Sequence, residues 1–423
     1  MLVLCSFGLP LAASAATVSD VLVRQQWPWN ARVNVDYRLA TDANEACDID
    51  VSVVDANCVT TAISRAHLTG DVDSVVGGER RIVWDPVASG FSGVAASVRI
   101  VLTPKAAIGR KYMVVDLSGA AQNGDNVPYP VSYLDDVPAG GWTDAYKTSK
   151  IVLRRIPAGK FKMGSPETEF GRTTGMSESQ HTVTLTKDFY IGVFPVTEKQ
   201  WKSVTGDSRT FWGNTDVSMI CNVSWEEIRG SNIEDNWPVS SAVAPDSFIG
   251  KLRNRATGTM PTGYVFDLPT EAQWEYACRA GTTTAWNNGT DISVDADGRD
   301  VNLDLLGVYV VNPNADGSAG YPTAAFPTVG TKLPNNWGLY DMHGGILEWC
   351  TDYYKADITA FVTDPKGPDS HPTENRILRG GGWRYAAKYC RSAWRTSQEP
   401  TSAKLARSRE GFRLTMMLEV VKE

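Results

Sequence analysis

Apolar and polar residues alternate along much of the first hundred positions of the chain. The alternation is clearest at Val33, Val35 and Tyr37, at Ile49, Val51 and Val53, and from Val98 to Leu102. A period of two residues is typical of β-strands that bury one face. Glycine-containing turns separate these stretches, so we predict a small all-β immunoglobulin-like sandwich over residues 17–103.

The next segment, residues 104–149, reads as a connection. Polar residues fill positions 119–126, and prolines and glycines interrupt any regular element. Met113, Val114 and Val115 are the exception, since they form a short apolar run. We expect this run to be a strand that packs on the domain that follows.

Helix starts appear later in the chain as a hydroxyl residue followed three positions on by Glu or Gln. This spacing lets two side chains satisfy the first free backbone amides of a helix reciprocally. It occurs at Thr197 with Gln200, at Ser224 with Glu227 and at Thr270 with Gln273. A fourth helix is predicted from Pro245, because Phe248, Ile249 and Leu252 fall on one face.

Residues 286–332 are rich in Gly, Asn, Asp and Pro, which predicts a long irregular loop outside the core. Short aromatic-rich strands follow from Trp337 to Leu418. Residues 150–418 thus combine few helices and short strands with much irregular chain.

Length and charge narrow the classes of function. A chain of 423 residues favours two domains. The net charge of −7 and the absence of a basic run argue against a nucleic-acid surface. Beyond residue 16, no stretch approaches the roughly 18 apolar residues of a membrane span.

The first sixteen residues, Met1 to Ala16, are apolar and contain Ala13-Ser-Ala15, the pattern of a signal-peptidase site. A positive n-region is missing, since the first Lys or Arg is Arg24. We interpret residues 1–16 as a signal peptide; the alternative is a buried N-terminal strand. Export predicts a secreted or periplasmic protein.

Cleavage there would remove Cys5 and leave six cysteines, none in C-x-x-C spacing: Cys47, Cys58, Cys221, Cys278, Cys350 and Cys390. An even number in an exported chain favours disulfides over zinc. Cys47 and Cys58 flank one predicted strand and suggest a local bridge. Cys221 and Cys350 are either a pair or two buried thiols.

Four motifs in order resemble those of the formylglycine-generating enzyme, or sulfatase-modifying factor, family. They are Ile156-Pro-Ala-Gly-Lys-Phe-Lys-Met-Gly-Ser165, Leu268-Pro-Thr-Glu-Ala-Gln-Trp-Glu-Tyr-Ala-Cys-Arg-Ala-Gly281, Asn336-Trp-Gly-Leu-Tyr-Asp-Met-His-Gly-Gly-Ile-Leu-Glu-Trp349 and Arg379-Gly-Gly-Gly-Trp383. The resemblance implies a C-type-lectin-like α+β fold held by loops, disulfides and calcium.

Family enzymes oxidise a cysteine of client sulfatases to formylglycine with a copper(I)-binding cysteine pair after the Arg-Gly-Gly-Ser segment. Here Tyr385 occupies the first cysteine position. Cys390 matches the second by simple counting, or matches a later structural cysteine if a short deletion is allowed. We prefer the deletion, and the resemblance then implies a disulfide between Cys390 and Cys278. Copper binding is not expected, because Cu(I) favours soft thiolates.

The resemblance also implies structural calcium. Glu348 would supply a carboxylate, with backbone carbonyls of Gly344 and Ile346, and the alternative for Glu348 is a buried salt bridge or a turn carboxylate. A second site is predicted at Asn302, Leu303 and Asp316 in the Asp-rich loop.

Aromatic residues with polar tips cluster near the end of the domain. Trp383, Tyr385, Tyr389 and Trp394 are candidates for a ligand groove, and the alternative for the tryptophans is the core. The four histidines are scattered, which argues against the metal site of iron-dependent sulfur-transfer relatives. No nucleophile elbow or phosphate-binding loop occurs.

These features predict an exported two-domain protein whose second domain acts as a non-catalytic binding or accessory module. Its ligand, protein or small molecule, is open. One alternative is a formylglycine-generating oxidase that uses Cys390. Another is a hypervariable ligand-display protein that varies between residues 380 and 410.

Overall fold

The computed structural model describes most of the chain and divides it into two compact units, Met1–Arg110 and Lys111–Glu423. The predicted domain boundaries at residues 103 and 150 stay a prediction. The described residues are 16–26, 31–41, 47–63, 67–72, 75, 77–91, 98–106, 111–119, 127–172, 178–209, 215–231, 236–258, 260–261, 263–296, 298–310, 327–360, 362–401 and 409–422.

The described part of the first unit is all β. Its strands are β1 Thr17–Gln25, β2 Val33–Ala40, β3 Cys47–Val54, β4 Thr60–Ala62, β5 Leu68–Gly70, β6 Gly78–Trp84 and β7 Arg99–Ala106. They form a sheet in the order β1-β2-β6-β5 and a second in the order β4-β3-β7, with antiparallel neighbours throughout. The immunoglobulin-like topology itself stays a prediction.

Both sheets of the first unit contribute to one hydrophobic cluster. The predicted alternation is confirmed, because Val33, Val35, Tyr37 and Leu39 of β2 are buried and their neighbours are not. Ile82 is fully buried in the same cluster. Asp48, at 8% exposure, is the only charged or polar residue classed as buried among the described residues of this unit.

The second unit contains thirteen described strands in three sheets. They are β8 Tyr112–Asp116, β9 Tyr129–Leu134, β10 Lys150–Ile156, β11 Gly159–Met163, β12 His181–Leu185, β13 Phe189–Gly192, β14 Ala256–Thr257, β15 Tyr264–Asp267, β16 Leu347–Tyr353, β17 Arg376–Arg379, β18 Arg395–Gln398, β19 Glu410–Gly411 and β20 Thr415–Leu418. The sheet orders are β14-β9-β8-β10-β13-β20-β15, β11-β12 and β18-β17-β16-β19.

Four short α-helices accompany these sheets in the described residues: α1 Glu198–Thr205, α2 Trp225–Arg229, α3 Phe248–Arg255 and α4 Glu271–Arg279. Single 3₁₀ turns lie at Asp144–Lys147, Leu303–Leu305 and Ala387–Tyr389. The three predicted capping boxes are confirmed at the starts of α1, α2 and α4. Few helices and a predominance of sheet agree with the predicted fold class; the C-type-lectin-like assignment stays a prediction.

The strand expected at Met113–Val115 is present as β8, which pairs with β10 in the seven-stranded sheet. The segment predicted as a connection thus contributes to the sheet of the second unit. The expectation that residues 286–332 lie outside the core is wrong for some of the described residues, although most of residues 288–299 are not buried. Trp286, Leu303 and Tyr309 are buried in a cluster that also contains Cys390.

Burial in this loop has a physical reason. Asp300, which is fully buried, accepts hydrogen bonds from the backbone amides of Ser293, Asn302 and Leu303. A loop without regular strands can be buried only if its backbone groups are satisfied, and this carboxylate meets that need. Within the described residues, no helix is long and apolar enough to cross a membrane.

Candidate functional site

The Arg379-Gly-Gly-Gly segment ends β17 and turns sharply into the residues that follow. Gly380 and Gly381 have φ of +91° and +72°, a region that disfavours side chains. A Cβ on Gly381 would meet Sγ of Cys390 at 2.7 Å. The glycines therefore allow the chain around Cys390 to lie directly against this turn.

Three of the four predicted groove residues come together beside the turn. The ring centroids of Tyr385 and Trp394 are 5.6 Å apart, those of Tyr389 and Trp394 are 5.4 Å apart, and those of the two tyrosines 6.0 Å. Trp394 is only 5% exposed and belongs to the main core cluster, on which both tyrosines pack. Trp383 instead stacks under Arg384, whose guanidinium carbon lies 4.3 Å from the ring centroid.

The position expected to hold the first copper cysteine carries a half-buried phenol. Burial raises the pKa of Tyr385, and the guanidinium of Arg409 lies over its ring at 5.2 Å. Cys390 has no exposed surface, and its Sγ lies 3.9 Å from the carbonyl oxygen of Ala386. Burial raises the pKa of the Cys390 thiol to about 12, so the thiolate is strongly disfavoured.

The Cys278–Cys390 disulfide expected from the resemblance is not formed in the structure. Both residues are thiols, as are the other cysteines that the structure describes. Sγ of Cys278 lies 3.7 Å from Oγ of Ser392 and 3.8 Å from Nε2 of His343. Nδ1 of His343 hydrogen-bonds to the carbonyl oxygen of Cys390 at 2.8 Å, so a histidine links the two residues.

The remaining cysteines also stay unbridged. Cys221 and Cys350 are fully buried thiols whose pKa values are raised by burial. Cys47 is buried on the core face of β3, whereas Cys58 is exposed, so the suggested local bridge between them is not formed.

Glu348, the predicted calcium ligand, forms a buried ion pair. Its Oε2 accepts 2.6 Å hydrogen bonds from Nε of Arg413 and Nε1 of Trp274, and its Oε1 accepts one of 2.8 Å from Nη2 of Arg413. Strands β16 and β19 bring the two charged residues together, since Glu348 pairs with Gly411 in a parallel register. This is the buried salt bridge that the sequence left open as an alternative.

The hydrogen-bond partners of Glu348 do not fit a Ca²⁺ ion at this carboxylate. Calcium requires carboxylate and carbonyl oxygens with free lone pairs, whereas both Glu348 oxygens face N–H groups and one partner is a cation. The carbonyl oxygen of Gly344 accepts a 3.0 Å bond from the amide of Ile346. In the parts of the chain that the structure covers, no group of three or more His, Cys, Asp or Glu side chains could hold a metal ion.

The second predicted calcium site is described only in part, because Asp316 lies outside the described residues. Asn302 and Leu303 donate their backbone amides to Oδ1 of Asp300, and the carbonyl oxygen of Leu303 accepts amides from Leu306 and Gly307. The geometry here is that of a satisfied turn, and calcium at this loop stays a prediction.

The sequence reasoning missed a network of buried arginines around α4. Arg379 donates to Oε2 of Glu275 and to the carbonyl oxygens of Ala393 and Trp394. Arg395 forms a two-pronged ion pair with Glu271, with both bonds at 2.7 Å. Glu271 and Glu275 on the core side of the predicted helix were a usable signal, because buried carboxylates need cationic partners. Their arginine partners were not sought in the core, because arginine is usually found at the surface.

Comparison with protein families gives one match that covers most of the second unit. The family model described as "Sulfatase-modifying factor enzyme 1-like domain" matches residues 144–418. The match begins after β9 and ends at the last residue of β20.

Individual relatives have modest identity. The formylglycine-generating enzyme of Bos taurus is 27% identical over 289 residues, which are 61% of this chain and 72% of that protein. The chaperone protein LppX of Paenibacillus barcinonensis is 28% identical over 230 residues, which are 50% of this chain and 75% of that protein. The solved structure of PvdO from Pseudomonas aeruginosa covers 63% of this chain and 94% of its own, with a TM-score of 0.47 and 22% identity.

Proposed function

Because the chain belongs to the sulfatase-modifying factor enzyme 1-like domain family, we propose that it is an exported, non-catalytic binding or accessory module of that family. One observation carries the proposal. Cys390 is fully buried, with a pKa raised to about 12. The resemblance assigns the nearby Tyr385, and not a cysteine, to the first copper position.

The chemistry of the donors supports this conclusion. Copper(I) prefers soft thiolate ligands, and a phenol oxygen is a hard donor. Cys390 would have to lose its proton in a site where burial favours the neutral thiol. Burial likewise raises the pKa of Cys278, which His343 links to Cys390, to about 12. The residues around Tyr385 therefore do not fit a two-thiolate copper centre.

The names of the relatives support both the family and a broader range of roles. The bovine relative is named a formylglycine-generating enzyme, whereas the Paenibacillus relative at similar identity is named a chaperone protein. An accessory role for this chain would keep the fold and its glycine turn while losing the metal. The arginine network around α4 would hold the scaffold independently of any cofactor.

Copper(I) titration of the purified full chain tests the proposal. A chromogenic Cu(I) chelator serves as competitor, and a Cys390→Ser variant serves as the matched control. We expect the chain and the variant to leave the ion with the chelator to the same extent. Uptake of one equivalent by the chain that is lost in the variant would instead support the formylglycine-generating oxidase.

Export is the second part of the proposal, and it rests on residues 1–16 with Ala13-Ser-Ala15. Positions 1–15 lie outside the described residues. Expression in a bacterial host followed by N-terminal sequencing of the periplasmic protein tests it. We expect a mature chain that begins near residue 16, and a cytoplasmic chain that retains Met1 would contradict the proposal.

A further inference from the structure

A cavity of about 290 Å³ opens on the second unit between the end of β12, the start of α4 and the residues that follow β20. It shares no lining residue with the Tyr385–Cys390 region. Leu185, Trp237 and Met417 line it and are buried. The indole N–H of Trp237 already donates to the carbonyl oxygen of Lys366 at 2.9 Å, so this residue offers a ligand only apolar surface. These three side chains make the cavity suitable for an apolar group.

The charged residues of the cavity wall balance one another. Asp188 pairs with Arg155, which lies outside the wall. The other charged residues are two cations and two anions, all exposed: Lys187, Lys366, Asp364 and Glu419. Asp364 accepts hydrogen bonds from the amide and hydroxyl of Thr186, which are neutral donors, and so keeps its charge. The wall therefore has no net charge with which to compensate an ion, and burying an uncompensated ion is costly.

Backbone groups along the wall are already paired. The amide of Val420 donates to Oγ of Ser241, and the carbonyl oxygen of Val420 accepts the amide of Ser241. The amide of Asp364 donates to the carbonyl oxygen of Thr184. A peptide strand that adds to a sheet is held by free backbone groups, and here these groups are in use. The wall therefore favours a compact molecule, and the volume is close to the lower size limit of small-molecule sites.

We propose that this cavity is a binding site for a small, uncharged and mainly apolar molecule that packs against Leu185, Trp237 and Met417. Burial of its apolar surface supplies the affinity. The balanced charges of the wall supply the selectivity, because neither a cation nor an anion finds a surplus of opposite charge there. The inference goes beyond the proposed function and does not depend on whether copper binds, so failure of one leaves the other standing.

Ligand-detected NMR titration of the full chain at neutral pH with naphthol, naphthoate and naphthylmethylamine tests the site. The three probes share one compact ring system, and they are neutral, anionic and cationic, respectively. We expect naphthol to bind at least about ten-fold more tightly than either ion. No binding of naphthol, or binding of either ion as tightly as naphthol, would overturn the proposal.

A matched pair of double variants locates the site. Leu418→Asp combined with Val421→Asp replaces two exposed apolar residues of the wall, and we expect naphthol binding to weaken about ten-fold. Leu333→Asp combined with Val87→Asp makes the same changes at exposed positions outside the wall and should leave naphthol binding unchanged. Thermal unfolding of each variant checks that it is folded. If the wall variant binds naphthol as the unmodified chain does, naphthol is bound elsewhere and the assignment is wrong.

Sedimentation of the full chain and of the wall variant tests the other occupant, a second copy of the chain. We expect the two chains to have the same oligomeric state. A dimer of the unmodified chain that the substitutions at Leu418 and Val421 dissociate would show that a second copy covers the cavity, and would overturn the proposal.

Discussion

The two units of this chain build their cores in opposite ways. In the first unit, alternating strands bury aliphatic and aromatic side chains, and Asp48 is the only residue of its described part that is both polar and buried. In the second unit, Arg155, Arg229, Arg279, Arg379, Arg391, Arg395 and Arg413 are all between 0% and 1% exposed. Each of them is paired with a carboxylate.

The difference shows what short strands and irregular loops require. Regular sheets satisfy their own backbone groups, but loops need side chains to do so. Arginine provides several donors in a fixed plane, and here it reaches loop carbonyls while its charge is matched by an acid. Arg379, for example, binds Glu275 and the carbonyl oxygens of Ala393 and Trp394.

The largest effect is expected from a substitution that breaks this arginine network. Arg379→Met should destabilise the second unit by about 3 to 5 kcal/mol, because it leaves Glu275 and Glu271 with too little compensating charge in a buried site. Urea unfolding followed by hydrogen–deuterium exchange of peptides from each unit measures the loss. Arg38→Met, at an exposed pair in the first unit with 63% of the arginine side chain accessible, is the control and should cost less than about 1 kcal/mol.

The first unit should respond instead to loss of apolar volume. Ile82→Ala, at a fully buried position of β6, should cost about 3 kcal/mol through lost burial and the cavity left behind. The same exchange method reports it in peptides of residues 1–110. Val87→Ala at a 70% exposed position is the control. A small effect of Ile82→Ala would show that the shared cluster of the two sheets is not the source of stability there.

Glu348→Gln separates a salt bridge from a calcium ligand. The substitution removes the charge that pairs with Arg413, and we expect a loss of about 2 kcal/mol. Thermal unfolding in excess calcium and in chelator measures it. The account predicts the same loss in both solutions. Calcium stabilisation of the unmodified chain that disappears in the variant would assign Glu348 to a metal site.

Asp352 predicts a pH dependence that belongs to the second unit alone. Burial, and then the charge of Glu271, raise the pKa of Asp352 to about 7. The folded state therefore keeps the Asp352 proton up to about pH 7, whereas the unfolded state releases it near the ordinary carboxyl pKa of about 4. Because the folded state binds more protons over this range, the free energy of unfolding falls as pH rises from about 4 to 7. Asp352→Asn should remove that loss, which is on the order of 1 to 3 kcal/mol between pH 5 and pH 8.

The free energy of unfolding of the unmodified chain and of the Asp352→Asn variant, each measured at pH 5 and pH 8, separates the contribution of Asp352 from that of other buried groups. His343, whose pKa burial lowers to about 4, acts in the opposite direction over a similar range and is present in both chains. If the variant and the unmodified chain show the same change between pH 5 and pH 8, Asp352 is not protonated in the folded state.

Local sequence signals predicted local structure well. The alternation at Val33–Leu39 predicted β2, and the hydroxyl-to-glutamine spacings predicted the starts of α1 and α4, because each pattern is set by neighbours a few residues away. The helix predicted from Pro245 is α3, which begins at Phe248 with Ser247 as its N-cap.

Long-range pairing could not be predicted from those signals. Nothing local indicates that Arg413 pairs with Glu348, or that His343 lies between Cys278 and the backbone of Cys390. From sequence alone, a carboxylate that follows two glycines is as compatible with a calcium ligand as with a buried salt bridge. The choice depends on which strand lies alongside Glu348, and here it is β19, with Arg413 two residues beyond its end.

The most direct test of the non-catalytic proposal is an assay for formylglycine, the product that this chain is expected not to make. The full chain is incubated with copper(I), oxygen, a thiol reductant and a peptide that carries the sulfatase cysteine, and mass spectrometry follows the peptide. The account predicts that the cysteine stays unmodified, as in a parallel reaction with Cys390→Ser. Conversion to formylglycine by the unmodified chain, and not by the variant, would contradict it.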